Sequence, residues 1–322
     1  MSTVLITGGA GFIGSHLTES YLEKGYEVVA VDNLNSGTLG NLGNVRGNPM
    51  FHFYETDIRD AEALFKIFDR HTPDIVSHHA AQKSVPYSME NPVEDANKNI
   101  IGLLNVIAAA GRFRTRNFLY VSSGGALSGQ TEGGGASRED DIPQLASPYA
   151  VTKYAGENYV RIYASKFKFD YSILRYANIY GPRQISDGEC GVIPIFIDNI
   201  LSGRQSVLTT YPDMPRGCTR DYVYVGDVVD ANLLLTENPA NRIVNIGSGE
   251  ETSVLDIYEM LQKIFGTSLP IVTSAPRQGD IKRSVLDSRR IFDLNGWSAR
   301  TSPEQGLTLL KKHISALGVA KE

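Results

Sequence analysis

The spacing of glycines near the N-terminus is the feature that most constrains how this chain can fold. A short apolar run at 4–7 leads into Gly8-Gly9-Ala10-Gly11-Phe12-Ile13-Gly14, and a helical pattern follows over 14–24. In such a strand–turn–helix unit the first glycine permits a tight turn, the second lets the backbone approach a phosphate, and the third lets the helix pack closely on the sheet. The helix N-terminus also offers N–H donors to a pyrophosphate. The segment therefore predicts a dinucleotide-binding turn formed by Gly8, Gly11 and Gly14.

Short apolar runs alternate with helical patterns through the first half of the chain. Strands are predicted at 4–7, 28–32, 51–54, 75–78, 118–122 and 171–175. Repeated strand–helix–strand units predict an α/β fold, a Rossmann-type doubly wound parallel sheet with helices on both faces. We expect this NAD-binding domain to comprise 1–175 plus about 223–250. A smaller, discontinuous C-terminal domain, formed by 176–222 and 251–322, is expected to bind the substrate.

An acidic residue ends the second predicted strand. The carboxylate of Asp32 can accept hydrogen bonds from both ribose hydroxyls of NAD and would repel the 2′-phosphate of NADP, so the sequence favours NAD. Asp57 follows the third strand. Its side chain could meet the adenine edge, or it could cap the next helix.

A tyrosine and a lysine open the helix that begins near Pro148. Ser147 suits the N-cap and Pro148 the first turn, and four residues separate Tyr149 from Lys153, so both lie on one helix face. An ammonium beside the phenol, together with a nicotinamide ring, would lower the pKa of Tyr149 and make it a general base. The Y-x-x-x-K pattern arises often by chance. Its place after a strand ending in Ser122-Ser123, downstream of the glycine turn, favours a catalytic pair.

Composition excludes several classes of protein. Acidic residues number 36 and basic residues 31, which gives no basic face for nucleic acid. Two scattered cysteines, Cys190 and Cys218, form neither a disulfide framework nor a zinc site and suit a reducing cytoplasm. We interpret His78 and His79 as structural and expect no metal. There is no secretory signal pattern, and no run approaches the roughly 18 apolar residues of a membrane span.

Further motifs extend along nearly the whole chain. They are GGAGFIGSH (8–16), DNLNS (32–36), DIR (57–59), HAAQKSV (79–85), Asn99, SPYAVTK (147–153), RYANIYGP (175–182), TRDY (219–222) and NIGSG (245–249). With these motifs the sequence resembles the extended short-chain dehydrogenase/reductase family and, within it, the UDP-glucose 4-epimerases. The motif set is specific for the family and less specific for the sugar.

The resemblance implies two sets of binding residues. The NAD site would comprise Gly8, Gly11, Phe12, Ile13, Gly14, Asp32, Asn33, Asn35, Ser36, Asp57, Ile58, Ala80, Ala81, Lys83, Asn99, Ser122, Tyr149, Lys153 and Tyr176 to Asn178. The UDP-sugar would be bound by Lys83, Gly124, Gly125, Tyr149, Asn178, Val192, Ile193, Arg220, Arg277 and Asp280. The residue types fit, because guanidinium forks suit a diphosphate.

One position departs from the family pattern. In the family, a Ser or Thr usually follows the fifth strand and hydrogen-bonds the substrate hydroxyl. In this chain, counting back from Gly129 places Gly124 at that position. Either Ser123 is recruited as the third catalytic residue, or a water serves, or Tyr149 alone contacts the substrate. Ser128 stands where the family often has a tyrosine.

The resemblance implies 4-epimerisation of a UDP-hexose. Tyr149 would take the proton from the sugar 4-hydroxyl while NAD oxidises C4, and the 4-keto sugar would turn and be reduced on its other face. Dehydratases and decarboxylases of the family carry acidic residues where this chain has Gly125 and Ala126, which cannot transfer a proton. The resemblance also places Ser284 at the position that often gates the sugar pocket, where its small side chain would leave room for an N-acetylated hexose.

Other functions stay open at this stage. They are a uronate epimerase, decarboxylase or dehydratase acting on another UDP-sugar, a dehydrogenase that releases NADH, and a non-catalytic NAD-binding protein, since fold does not fix function. The resemblance also implies a homodimer formed by the helices starting near Asn97 and Pro148.

Overall fold

Two compact units make up the computed structural model, which describes residues 2–128, 135–186, 191–276 and 281–319. The first unit comprises Met1–Leu127, Leu145–Arg175 and Val229–Val244, and the second comprises Ser128–Gln144, Tyr176–Val228 and Asn245–Glu322. Sequence analysis had placed 128–144, 223–228 and 245–250 in the first domain. Residues 135–144 belong to the second unit, where the Ser137 amide donates to the Val285 carbonyl over 2.9 Å. Which ligand each unit binds stays a prediction.

The secondary structure alternates between strands and helices up to Tyr176. The elements are β1 Thr3–Thr7, α1 Phe12–Glu23, β2 Glu27–Asp32, a 3-10 helix Leu39–Leu42, β3 Phe51–Glu55, α2 Ala61–His71, β4 Ile75–His78, α3 Val85–Glu90, α4 Pro92–Ala96, a π-helical turn Asn97–Ile101, α5 Gly102–Arg112, β5 Asn117–Ser123, α6 Gly124–Ser128, α7 Pro148–Phe167 and β6 Asp170–Tyr176. After Tyr176 the strands become shorter. The elements there are β7 Asn178–Tyr180, α8 Val192–Leu201, β8 Ser206–Thr209, β9 Thr219–Arg220, β10 Tyr222–Tyr224, α9 Val225–Glu237, β11 Arg242–Ile246, β12 Thr252–Ser253, α10 Val254–Phe265, β13 Ile271–Ser274, β14 Arg283–Ser284, α11 Arg289–Asn295 and α12 Pro303–Val319.

Seven strands form one sheet in the order β11-β6-β5-β4-β1-β2-β3. The pairs β1–β2, β2–β3, β1–β4 and β4–β5 are parallel. The strand order reverses between β1 and β4, which is the switch point at which doubly wound sheets bind ligands beyond the carboxyl ends of their strands. The predicted Rossmann-type fold is confirmed.

Burial explains why the inner strands are almost entirely apolar. Every residue of β1 is buried, and Val28, Val29, Ala30 and Val31 of β2 are fully buried, as expected for a parallel sheet covered on both faces. Among the described residues, no helix is both long and apolar enough to cross a membrane.

The second unit has its own apolar core. Side chains of α8, α10 and α12 provide much of it, including Phe196, Ile257, Leu261 and Leu307. Short strands form a three-stranded sheet in the order β12-β9-β14 and two two-stranded sheets, β10-β7 and β13-β8.

Candidate active site

The glycine turn has the backbone geometry that the sequence predicts. Gly8 has a φ of 70°, and a Cβ there would lie 2.9 Å from the Ala80 amide nitrogen. A Cβ on Gly14 would collide with the Gly8 carbonyl oxygen. The N-cap of α1 is Gly11, and no side chain caps the helix. The first-turn amides are therefore placed to bind an anion such as a pyrophosphate.

Asp32 is buried at the end of β2. Its Oδ2 accepts a hydrogen bond from the Ala10 amide over 3.0 Å and its Oδ1 accepts one from the Leu34 amide over 2.8 Å. Burial raises the pKa of this carboxyl, and these backbone hydrogen bonds oppose the rise. An ionised carboxylate has about four acceptor sites, so both oxygens can also accept hydrogen bonds from a ligand. Three further predicted residues are exposed on the loop that follows: Asn33, Asn35 and Ser36.

Asp57 is held by an ion pair after β3. Its carboxylate accepts hydrogen bonds from the Arg59 guanidinium over 2.9 Å and from the Asn33 side chain over 2.8 Å. Hydrogen bonding to Arg59 lowers the pKa of Asp57 to about 2. The alternative that Asp57 caps α2 is wrong, because the N-cap is Asp60, whose side chain accepts from the Ala63 amide. Ile58 beside it is buried.

Asn99 fastens the loop that follows β4. Its Oδ1 accepts from the Gln82 amide over 2.8 Å, and its Nδ2 donates to the Gln82 carbonyl over 3.0 Å. On that loop Ala80 is half-buried, whereas Ala81 and Lys83 are exposed. The structure thus gives Asn99 a positioning role for the loop that carries the predicted cofactor residues.

Tyr149, Ser123 and Lys153 come together in the first unit. Ser147 caps α7 by accepting from the Ala150 amide over 3.2 Å. The Tyr149 side chain hydrogen-bonds that of Ser123. Lys153 Nζ lies 6.0 Å from the centroid of the Tyr149 ring and donates to the Val121 carbonyl over 2.9 Å. The side-chain hydroxyl beside the phenol is therefore that of Ser123, while Gly124 and Gly125 begin α6.

The expected low pKa of Tyr149 is not a property of the chain alone. Burial raises the pKa of Tyr149 to about 12, the hydrogen bond to Ser123 opposes this rise, and the charge of Asp95 adds to it. Burial also lowers the pKa of Lys153 to about 8, against the attraction of Asp95 and Glu157. Desolvation raises the pKa of Tyr149 by more than the Lys153 ammonium lowers it at this distance. Without a ligand, Tyr149 is therefore a neutral phenol.

The buried lysine leads to a prediction about stability. The pKa of Lys153 falls from 10.5, its ordinary value, to about 8 in the folded chain. Between these values the unfolded chain binds more protons, so the free energy of unfolding rises with pH. Without cofactor, we expect the wild type to gain stability relative to Lys153→Met as pH increases from about 8 towards 10. Denaturant titrations at several pH values measure the difference. The exposed Lys24→Met is the control, and a flat or falling difference would contradict the prediction.

A buried polar network behind Ser123 was not foreseen from the sequence. The Ser122 hydroxyl, predicted to face the cofactor, donates to Glu157 Oε1 over 2.6 Å. Arg175 binds the same carboxylate through Nε over 2.8 Å and through Nη2 over 2.7 Å. Nearby, buried Asp95 accepts from the Thr152 hydroxyl over 2.8 Å. These contacts fix the end of β5 and the face of α7 that carry the candidate catalytic side chains.

The remaining predicted residues lie in the second unit. Tyr176 is buried at the end of β6, Asn178 is half-buried in β7, and Val192 and buried Ile193 begin α8. The N-cap of α8, Gly191, provides no side-chain cap. Arg277 and Asp280 lie outside the described residues.

Arg220 and Asp221 organise the loops around β9. The Arg220 guanidinium donates to the carbonyls of Thr219 over 2.8 Å and Ile281 over 2.7 Å. Buried Asp221 accepts from the Ser248 amide over 2.7 Å and from the Leu286 amide over 3.2 Å. The TRDY and NIGSG motifs signalled this region, but the structural role of Asp221 was missed.

Two small hydroxyl side chains meet in the second unit. Ser128 Oγ lies 3.4 Å from Ser284 Oγ. Ser284 is buried in β14.

Solved structures similar to this protein cover nearly all of the chain. The NAD dependent epimerase/dehydratase family matches residues 4–247. The solved UDP-glucose 4-epimerase of Thermotoga maritima with UDP-glucose is 40% identical, with a TM-score of 0.91 over 98% of this chain and 99% of that one. The UDP-glucose 4-epimerase of Thermus thermophilus in complex with NAD is 36% identical, with a TM-score of 0.90 over 97% and 99%. The UDP-N-acetylglucosamine 4-epimerase of Methanobrevibacter ruminantium is 29% identical, with a TM-score of 0.90 over 98% and 99%.

Proposed function

Because the chain belongs to the NAD-dependent epimerase/dehydratase family, we propose that it is an enzyme that interconverts the C4 epimers of a UDP-hexose. The observation that carries this proposal is the hydrogen bond between the half-buried Tyr149 and Ser123 side chains, with the buried Lys153 ammonium 6.0 Å from the Tyr149 ring centroid. A phenol, a hydroxyl and a cation at the end of a strand of a dinucleotide-binding sheet suit proton removal from an alcohol.

The first unit has the residues to hold NAD. Gly8 and Gly14 leave no room for side chains, the N-terminus of α1 has no side-chain cap, and the Asp32 carboxylate has acceptor capacity left for ribose hydroxyls. Asn33, Asn35, Ser36, Asp57 and Ile58 would complete the adenosine side, in line with the family pattern. Bound NAD supplies the redox chemistry, which is oxidation of the sugar at C4 followed by reduction on the opposite face.

The chain's own residues handle the proton. Tyr149 takes the proton of the sugar 4-hydroxyl. Ser123, which is hydrogen-bonded to the phenol of Tyr149, orients the sugar hydroxyl for this transfer. Lys153, anchored on the Val121 carbonyl, stabilises the phenolate. Since burial alone keeps Tyr149 neutral, the positive charge of bound oxidised cofactor is needed to favour the phenolate.

We assign the UDP moiety to residues of the second unit. Arg220 and Arg277 would bind the diphosphate through guanidinium groups, and Asp280 would accept from the uridine ribose. Asn178 and the first turn of α8, at Val192 and Ile193, would contribute polar backbone and side-chain groups. Lys83, on the loop after β4 in the first unit, would bind the sugar or the cofactor.

Epimerisation is favoured over the other reactions of the family by the residue types next to Ser123. Gly125 and Ala126 carry no acid or base, so water elimination and decarboxylation lack a proton donor at these positions. A non-catalytic NAD-binding protein would have no need to bury Lys153 beside Tyr149 and bear the desolvation that lowers the pKa of its ammonium.

We also infer a homodimer. Three large apolar side chains are exposed in the first unit, Val93 by 74%, Ile101 by 48% and Val151 by 47%. They lie on α4, on the π-helical turn and on α7, which pack against one another. Exposed apolar side chains on elements that pack together suit association with a second copy. Sedimentation equilibrium would detect the dimer, and a strictly monomeric protein would exclude it.

A cytoplasmic location stays a prediction from the cysteine content.

Incubation with a panel of UDP-sugars tests the function. We expect UDP-glucose and UDP-galactose to interconvert without net NADH in solution, because oxidation and reduction balance within one turnover. The small Ser284 and Ser128 side chains support turnover of UDP-N-acetylglucosamine as well. Uronate and pentose analogues are the comparison arms, and products are separated by chromatography. Release of stoichiometric NADH, or loss of water or carbon dioxide from the sugar, would contradict 4-epimerisation.

A further inference from the structure

Two histidines and a glutamate converge at the opposite edge of the sheet from the candidate active site. Glu27 is the first residue of β2, His52 is the second residue of β3, and His71 is the last residue of α2. Asp32 and Ser123, in contrast, lie at the carboxyl ends of their strands. Glu27 Oε1 lies 3.1 Å from His52 Nε2 and 3.3 Å from His71 Nδ1. All three possible ligand atoms lie within 4.8 Å of one another.

The backbone brings these side chains to one face. In the parallel pair of β2 and β3, Val29 is opposite His52 and Val31 is opposite Tyr54. Every second residue of a strand points to the same face of the sheet. The side chains of Glu27, Val29 and Val31 therefore share one face, and those of His52 and Tyr54 lie on it too. Helix α2 packs its buried side chains against Val29 and Val31 in the same core cluster, which delivers His71 at its C-terminus to this edge.

The distances from the Glu27 oxygen to the two histidine nitrogens suit a tetrahedral ion. The bonds from zinc to imidazole nitrogen and to carboxylate oxygen are about 2.0–2.1 Å long. In a tetrahedral site, bonds of this length place the ligand atoms roughly 3.3 Å apart. The two nitrogen–oxygen distances in the cluster, 3.1 Å and 3.3 Å, are close to this value. Two imidazoles and one carboxylate form a ligand set that zinc uses when water completes its coordination.

Neighbouring groups support the ligand orientation. The Tyr54 hydroxyl lies 2.8 Å from His71 Nε2. A proton on that nitrogen donated to the Tyr54 oxygen leaves Nδ1 with its lone pair towards Glu27, the arrangement in which metal-bound histidines are typically held. The Thr3 hydroxyl donates to the other oxygen, Glu27 Oε2, over 3.3 Å.

We propose that Glu27, His52 and His71 bind a divalent transition-metal ion of the zinc class, with water in the remaining position. The side chains of Glu27 and His52 are 30% and 34% exposed, which lets an ion enter and keep a water ligand. The ion links β2, β3 and the end of α2 and so stabilises the first unit. Sequence analysis predicted no metal because the three ligands are far apart along the chain and meet only through the sheet register.

Titration of metal-stripped, tag-free full-length protein with Co²⁺ tests the proposal. We expect one equivalent to bind, with the visible absorption of a four- or five-coordinate cobalt site that Zn²⁺ then displaces. Tyr54→Phe, which removes a supporting hydrogen bond, should weaken binding by about 10- to 100-fold. His52→Gln and Glu27→Gln remove a ligand and should weaken it by more than the roughly 100-fold upper end of that range.

His313→Gln is the matched control, because His313 lies on α12 in the second unit. It should bind Co²⁺ like the wild type, and Zn²⁺ should raise the unfolding temperature of both, but not that of His52→Gln. Circular dichroism without metal checks that each variant folds. Wild-type Co²⁺ affinity equal to that of His52→Gln would overturn the proposal and leave the cluster as a carboxylate hydrogen-bonded to two imidazoles. Epimerase activity does not enter this test, so its result is independent of the proposed function.

Discussion

Replacing Tyr149 with phenylalanine is expected to reduce turnover of UDP-galactose by about 100- to 10,000-fold, the range typical of a lost general acid–base group. The substitution removes the hydroxyl that hydrogen-bonds Ser123 at the end of β5 and keeps the ring that packs near Lys153. NAD should stay bound, because the glycine turn and Asp32 are unchanged. Coupled assays measure the rate, and NAD released on denaturation measures the retained cofactor.

Tyr163→Phe is the matched control for this experiment. Tyr163 is on the same helix, α7, and stacks on Phe167 with the ring centroids 5.5 Å apart, so losing its hydroxyl tests only the general effect of the change. We expect its rate to stay close to that of the wild type. A near-normal rate for Tyr149→Phe would contradict the catalytic assignment, and loss of NAD from that variant would indicate a binding role instead.

The third candidate catalytic residue shows what a single sequence can resolve. Alignment placed Gly124 in the usual hydroxyl position and left three alternatives. The structure brings the Ser123 side chain to Tyr149 because β5 extends through Ser123, and α6 begins at Gly124. A shift of one residue in the end of β5 would change which side chain faces the phenol. Spacing along the chain cannot define a boundary that finely.

Local signals were sufficient for the central sheet. Glycines, capping residues and apolar runs depend on neighbours a few residues away, so β1 to β6 and the start of α7 were predicted close to their observed bounds. The helix expected to start near Asn97 was less accurate, because the chain forms a π-helical turn at Asn97–Ile101 before α5. Asn99 lies in that turn, and its side chain is hydrogen-bonded to Gln82 on the loop after β4, outside the turn itself.

Long-range polar contacts were beyond sequence reasoning. Asp221 accepts hydrogen bonds from Ser248 and Leu286, and Glu157 binds Arg175 and Ser122. No periodicity marks such partners, since each pairing depends on how separate segments pack. The lowered pKa of Tyr149 was expected with a nicotinamide ring beside it and stays a prediction. For the chain alone, Lys153 was visible in the sequence, whereas the burial that raises the pKa of Tyr149 was not.

Breaking the ion pair between Arg175 and Glu157 should have the largest effect on stability. Arg175 Nη2 lies 2.7 Å from Glu157 Oε2, and the side chains are only 6% and 1% exposed. Arg175→Met leaves a buried carboxylate without its cation, which costs about 3–5 kcal/mol. We expect the free energy of unfolding to fall by that amount in urea titrations. Activity should fall too, because Ser122, next to Ser123, is bonded to the same carboxylate.

A double-mutant cycle distinguishes the ion pair from a general packing defect. Glu157→Leu combined with Arg175→Met removes both charges, and a buried pair replaced by apolar side chains is often close to neutral. The double variant should therefore be more stable than either single variant. Glu62→Gln, which breaks the exposed pair of Glu62 and Lys66, is the control and should change stability by less than about 1 kcal/mol. Additive losses in the double variant would contradict the prediction and show that the two side chains stabilise the fold independently.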